Sequence, residues 1–195
     1  MAHVVFNGLT LLSAPGRVMT PRRATESLVV AACARLGRDS GRVADVGTGA
    51  GAVAVAVARA CPAVDLWATD SNPLAVALAC RNVRLHGLED RIVVRQTDLL
   101  DGVPAPLDLV MANLPYLPSS AARQHPDLAV EPHDAVFAAG DGLDPYRRLI
   151  DAASRWLADD GALLLQLHRR VIAATRAELP ELRDALDGAP TALAA

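Results

Sequence analysis

Between residues 42 and 167, short apolar runs alternate with helical segments of ten or more residues, and this alternation leaves few folds open. The runs are RVADV (42 to 46), DLWAT (65 to 69), RIVVRQ (91 to 96), LDLVMA (107 to 112) and ALLLQL (162 to 167). Helical patterns lie between them at about 52 to 60, 73 to 86 and 145 to 158. Asn72 is placed to cap the second of these, Pro73 suits its first turn, and Gly87 suits its end. Strands joined through helices of this length pair in parallel, with helices covering both faces of the sheet. The expected class is therefore α/β, Rossmann-like and doubly wound, with a mostly parallel sheet. Upstream, Asn7 and Gly8 between two apolar runs signal a short N-terminal β-hairpin, and residues 25 to 36 read as a helix with Leu28, Val29, Ala32 and Leu36 on one side.

The chain of 195 residues is long enough for one domain with a full core. We expect a single domain, 1–195, divided into a hairpin and substrate-side loop (1–24), a cofactor-binding core (25–170), and a C-terminal helix and tail (171–195). A helix is expected from about 169 to 187, followed by eight residues. On that reading the C-terminal strands are missing and the edge of the fifth core strand is bare, which invites a homodimer or a partner subunit. No apolar stretch is long enough to span a bilayer, and the first residues lack the build of a signal peptide, so a soluble cytoplasmic protein is expected. Cys33, Cys61 and Cys80 show no metal-ligand spacing and read as core thiols. His125, His133 and His168 show none either, and no metal is expected. All 19 basic residues are Arg, which excludes lysine chemistry. The net charge of −3 does not favour a nucleic-acid partner.

In an open parallel sheet, ligands sit outside the C-terminal strand ends, near the reversal of strand order. The first strand runs into Asp45, Gly47, Thr48, Gly49, Ala50 and Gly51, a G-x-G-x-G loop where a ligand can lie against bare backbone. That spacing differs from the G-x-G-x-x-G dinucleotide loop, and no Lys follows as a Walker loop requires. Asp70 ends the second strand, where a carboxylate can accept from both ribose hydroxyls; helix capping is its plainer role. Asp98 and Leu99 follow the third strand, an acceptor beside an apolar wall suited to adenine. The fourth strand ends in Asn113, Leu114, Pro115 and Tyr116. A nitrogen bearing two N–H groups needs two acceptors, and the Asn113 side-chain oxygen and the Leu114 carbonyl can supply them. Pro115 biases Leu114 toward extended backbone, and Tyr116 offers a flat face to a planar group.

Together these strand ends resemble the class I S-adenosylmethionine-dependent methyltransferases. The resemblance implies S-adenosylmethionine as cofactor and S-adenosylhomocysteine as product. Asp45 and Gly47 to Gly51 would serve the methionine and ribose side, Asp70 the ribose, Asp98 and Leu99 the adenine, and Asn113 the cofactor as well as the acceptor. The quartet 113 to 116 is similar to the (D/N/S)PP(Y/F) motif of amino-group methyltransferases, with Leu114 in place of the first proline. The stretch PRRATE, with Pro21, Arg22, Thr25 and Glu26, resembles the PRPETE element of the HemK family, which includes PrmC-type enzymes. VEPHDAVFAAGDGLDPYRRLI resembles the same family's EPxxALxGGxDGLDxYRRL segment through Glu131, Pro132, Asp141 to Asp144, Tyr146, Arg147 and Arg148.

Membership implies methylation of the glutamine side-chain amide in the GGQ loop of a peptide-release factor. Arg22, Thr25 and Glu26 would lie on the substrate side, and the segment from Leu117 to Gly140 would cover the substrate pocket. The resemblance is to short relatives without the N-terminal helical domain, which work with a partner subunit. Gln166 stands where the family has Glu. Two other readings fit the residues: methylation of a nucleic-acid base or a small-molecule amine, and an inactive cofactor-binding scaffold.

Overall fold

The computed structural model describes residues 1–188 apart from 38–39, 129 and 168–169. Two strands, β1 (Ala2–Phe6) and β2 (Leu9–Ser13), pair antiparallel, with Phe6 opposite Leu9. Asn7 and Gly8 both take positive φ, as the two-residue hairpin turn requires. Helix α1 (Glu26–Leu36) follows, then the alternation read from the sequence: β3 (Gly41–Val46), α2 (Ala52–Ala60), β4 (Val64–Asp70), α3 (Pro73–Leu85), β5 (Ile92–Gln96) and β6 (Leu107–Ala112). Asn72 caps α3 by accepting the Leu74 N–H at 2.9 Å. The connection after β6 carries two-residue strands, β7 (Leu117–Pro118) and β8 (Phe137–Ala138), with the short helix α4 (His133–Val136) ahead of β8. Helix α5 (Asp144–Trp156) leads directly into β9 (Leu157–Leu167), and β10 (Arg170–Thr175) and α6 (Leu179–Gly188) complete the order.

Among the described residues the main sheet has six strands in the order β10-β9-β6-β3-β4-β5. Five are parallel; β10 alone runs antiparallel, against β9. Order reverses at β3, with β4 and β5 to one side and β6 and β9 to the other, so the crevice opens between the ends of β3 and β6. Side chains alternate across the strands. Val43, Leu66, Leu109, Met111 and Leu164 join one apolar core with α1, α2 and the hairpin. Ala44, Val46, Val110, Leu163 and Leu165 join the other, under α5 and α6. Residues 52 to 58 are all buried, which explains a run of only Ala and Val on every side of the helix before Arg59.

The C-terminal expectation is corrected. Where a helix was expected from about 169 to 187, Arg170–Thr175 is a strand paired along its length with residues 162 to 167, and the helix spans only Leu179–Gly188. Val171 and Ile172 favour a strand, and Pro180 cannot sit inside a longer helix. Thr175 and Glu178 form a capping box that starts the helical turn afresh. The chain thus keeps one final antiparallel strand, and the edge of the fifth core strand is covered by it rather than bare. Among the described residues no bare edge of that strand is left for a second subunit to cover. No helix among the described residues is long and apolar enough to cross a membrane.

Candidate active site

The floor of the crevice is built by the loop after β3. Asp45 is buried (3% exposed) and accepts the Thr48 hydroxyl at 2.6 Å and the Ala54 N–H, in the first turn of α2, at 3.1 Å. Burial pushes its carboxyl up to about 6; the bonds from Thr48 and Ala54 pull against that rise, and the nearby Asp70 charge adds to it. Asp70, at the end of β4, accepts the Gly49 N–H on one oxygen and the Asn72 N–H on the other, both at 2.9 Å. Burial raises its carboxyl too, against those two bonds. Gly49 has φ +57, and no atom lies within 4 Å of where a Cβ would stand, so the loop meets the crevice as bare backbone. Gly51, expected above on the cofactor side, is not among the residues lining the crevice; a Cβ there would stand 3.2 Å from Ala79 of α3.

The crevice is a cavity of about 690 Å³, lined by the glycine loop, Asp70, Thr97, Asp98, Leu99, Asn113, Leu114, Pro115 and Arg148 among others. Its size, the exposed loop backbone and a carboxylate with lone pairs to spare fit a nucleoside with an amino-acid arm. Leu99 takes positive φ (48°), and its carbonyl accepts the Thr69 hydroxyl at 2.8 Å. Asp98 forms an ion pair with Arg148, a residue of α5 that the strand-end reading passed over because its signal lies on another element.

Asn113 donates from its amide nitrogen to the Thr25 hydroxyl at 3.2 Å, which makes its oxygen the end offered to a ligand's N–H. A second cavity of about 320 Å³ lies beyond it, lined by Tyr116, Leu117, His125, Leu128, Val136 and Gln166. Arg22, Thr25, Asn113, Leu114 and Pro115 line both cavities and form their common wall. Burial holds the Tyr116 hydroxyl above the usual phenol range, with the Arg22 charge opposing. The Glu26 carboxylate accepts the Asn7 N–H at 2.9 Å at the hairpin turn and lines neither cavity.

The long connection closes over the second cavity through the parallel pairing of β7 with β8. Glu131 anchors it, accepting the Thr20 N–H at 3.0 Å and lying 3.6 Å from the Arg22 guanidinium. The two segments that carry the HemK resemblance, around Arg22 and around Glu131, thus meet in space. Gly142 (φ +90) sits where a Cβ would strike the backbone of Tyr116 and Pro118. Beside it Asp141 is held down at about 2 by hydrogen bonds from the Arg147 guanidinium and the Leu143 N–H.

Three further residues hold the site through contacts that the sequence does not show. Tyr146 is buried with its hydroxyl against the Leu114 peptide. Gln166 donates to the Ala24 carbonyl at 3.0 Å. Asn82, buried in α3, donates to Leu12 and Ala50 carbonyls and accepts the Leu12 N–H, tying the hairpin to the glycine loop. A lone Asn inside an apolar helical run is the one trace it leaves in the sequence. Among the described residues no three His, Cys, Asp or Glu side chains gather as a metal would require; His168 lies outside them.

Comparison with known proteins agrees with this geometry. A release factor glutamine methyltransferase from Deinococcus radiodurans is 39% identical over 91% of the chain and 63% of its own length. A ribosomal protein uL3 glutamine methyltransferase from Bordetella pertussis is 34% identical over 79% of the chain and 54% of its own length. The chain therefore spans a little over half to just under two thirds of these curated relatives. The crystal structure of a ribosomal protein L11 methylase from Lactobacillus delbrueckii subsp. bulgaricus superposes with a TM-score of 0.58 at 24% identity, covering 89% of this chain and 71% of that one. Residues 23–129 match the profile of the methyltransferase small domain family. With that match spanning more than half its length, the chain belongs to the methyltransferase small domain family.

Proposed function

We propose that this chain transfers a methyl group from S-adenosylmethionine to the side-chain amide nitrogen of a protein glutamine. The observation that carries the reading is the pair of cavities with Asn113, Leu114 and Pro115 as their common wall. One cavity suits the nucleoside and the other a side chain entering from a protein surface. When bound, the cofactor supplies an electrophilic methyl on a positively charged sulfur.

An amide nitrogen is a poor nucleophile because its lone pair is delocalised into the carbonyl. The wall addresses this by accepting both of its N–H groups, through Asn113 Oδ1 and the Leu114 carbonyl oxygen. Both bonds strengthen as positive charge builds on nitrogen. Thr25 keeps the Asn113 amide from rotating by taking its nitrogen end. Tyr116 lies along the second cavity, where its ring can stack on the planar amide. No base is needed before transfer, since the nitrogen releases a proton after methylation. On the floor, Asp70 would take the ribose hydroxyls with its remaining lone pairs, while Asp98 and Leu99 would meet the adenine.

Glutamine is the acceptor named for both relatives, and the proteins that carry it differ. A release factor with its exposed GGQ loop is the favoured substrate, because the PRRATE and DGLDPYRRL segments that resemble the PrmC-type enzymes both border the second cavity's wall or cover. The test is transfer of labelled methyl to a Gly-Gly-Gln peptide and to intact release factor. Wild-type protein should methylate the glutamine, and Asn113→Ala should lower kcat by about a thousandfold while cofactor affinity stays within about threefold. Transfer that survives Asn113→Ala unchanged, or no transfer to any glutamine acceptor, rules the proposal out.

A further inference from the structure

Leu114 differs from proline in a way that the hydrogen bonds around it make specific. A proline has no N–H; Leu114 has one, in a residue that is almost fully buried. That N–H donates to the Tyr146 hydroxyl at 3.0 Å, and Tyr146 is itself 0% exposed. The same hydroxyl lies 2.9 Å from the Leu114 carbonyl oxygen and 2.7 Å from that of Gln166. The hydroxyl accepts the Leu114 N–H, and its one proton lies within reach of both the Leu114 and the Gln166 carbonyls. One atom can reach both the N–H and the C=O of one residue only where they face the same side, as in extended backbone. The Leu114 side chain rests on the glycine loop: its Cδ2 is 2.6 Å from where a Cβ of Gly47 would be.

We infer that Tyr146 is a positioning residue for methyl transfer, its hydroxyl taking the Leu114 N–H that proline would lack and so aiming the Leu114 carbonyl at the acceptor nitrogen. This rests on the acceptor reading of Asn113 and Leu114 given above. The residue is held at its peptide by a hydroxyl and at its side chain by the glycine loop, which together replace the constraint that a pyrrolidine ring gives. Burial keeps that hydroxyl protonated throughout the physiological range, so it can donate and accept at once. The carbonyl retains a lone pair for the substrate, since an sp² oxygen has two.

The role is tested by Tyr146→Phe, which keeps the ring and removes only the oxygen, in the wild-type chain and in the Leu114→Pro background. With Leu114 present, kcat should fall about 10- to 100-fold while the KM for S-adenosylmethionine stays within about twofold. In Leu114→Pro, which offers no N–H to satisfy, the same change should lower kcat by no more than about twofold. Equal losses in both backgrounds, or a loss of thermal stability with kcat unmoved, overturn the inference. The contact is also read without turnover, by amide hydrogen exchange on the cofactor-loaded protein. Exchange at the Leu114 N–H about tenfold or more faster in Tyr146→Phe upholds the contact, and unchanged exchange overturns it. A wild-type chain that methylates no glutamine, with the exchange result as expected, rejects the acceptor reading and with it the catalytic role, while the contact stands.

Discussion

The floor of the site and its wall are built on different principles. On the floor, Asp45 reaches Thr48 and Ala54 three and nine positions away, and Gly49 meets Asp70 across one βα unit, 21 positions on. In the wall, Thr25 meets Asn113 across 88 positions, Thr20 meets Glu131 across 111, and Leu114 meets Tyr146 across 32. The glycine-loop part of the floor is thus completed by a strand, its loop and the next strand, while Asp98 there reaches a distant helix through Arg148. The wall exists only once hairpin loop, β6, the long connection and α5 have all docked. This teaches where variation is tolerated: changes to the connection can retune the acceptor side while the cofactor side stays whole.

The sharpest way to break the comparison is Asp70→Ala. It removes the acceptor for two backbone N–H groups as well as the proposed ribose partner, so affinity for S-adenosylmethionine should fall at least a hundredfold, or about 3 kcal/mol, by calorimetry. An affinity within threefold of wild type would mean that the ribose is held elsewhere.

A smaller effect separates the floor's stability from its binding. Because burial raises Asp45 to about 6, well above its unfolded value near 4, the folded state holds that proton more tightly than the unfolded chain does. Stability from this group is full below about pH 4 and is lost as pH rises to about 6, some 2–3 kcal/mol in order of magnitude. Asp45→Asn should flatten that part of the unfolding profile, measured by denaturant titration between pH 4 and 7; an unchanged slope would assign it to other groups. The smallest effect is expected in the wall. Arg22→Ala breaks a partly exposed pair with Glu131, so the melting temperature should move by only about 1–3 °C. The KM for a glutamine peptide should rise about three- to tenfold. A larger shift for the cofactor than for the peptide would put Arg22 on the floor's side.

The same contrast explains what was legible in the sequence. The strands, α2 and α3, the Asn72 cap, the hairpin turn and the floor residues Asp45, Gly49 and Asp70 rest on periodicity and neighbours, so they can be read from short windows. Asn113 and Thr25 are each visible through motifs, yet nothing local says that they touch. Tyr146, Arg148 and Asn82 act through contacts made by tertiary docking, which no window contains. The pairing of Leu117 with Phe137 is too short to leave a period. The Arg and Ala residues of β10 suit a helix, and against them stand only the strand preference of Val171 and Ile172 and the limit that Pro180 sets on a helix.

Gly142 draws a final consequence from this architecture. Its missing side chain lets one turn nestle behind the Tyr116 to Pro118 backbone, with that turn staked down by the Asp141–Arg147 pair. The shape of the acceptor chamber is therefore adjustable from its outer shell, by a residue that no substrate would ever meet. A single methyl group introduced there would collide with the Tyr116 carbonyl oxygen on a backbone of φ +90, so either the turn or the Tyr116 to Pro118 backbone would have to give way.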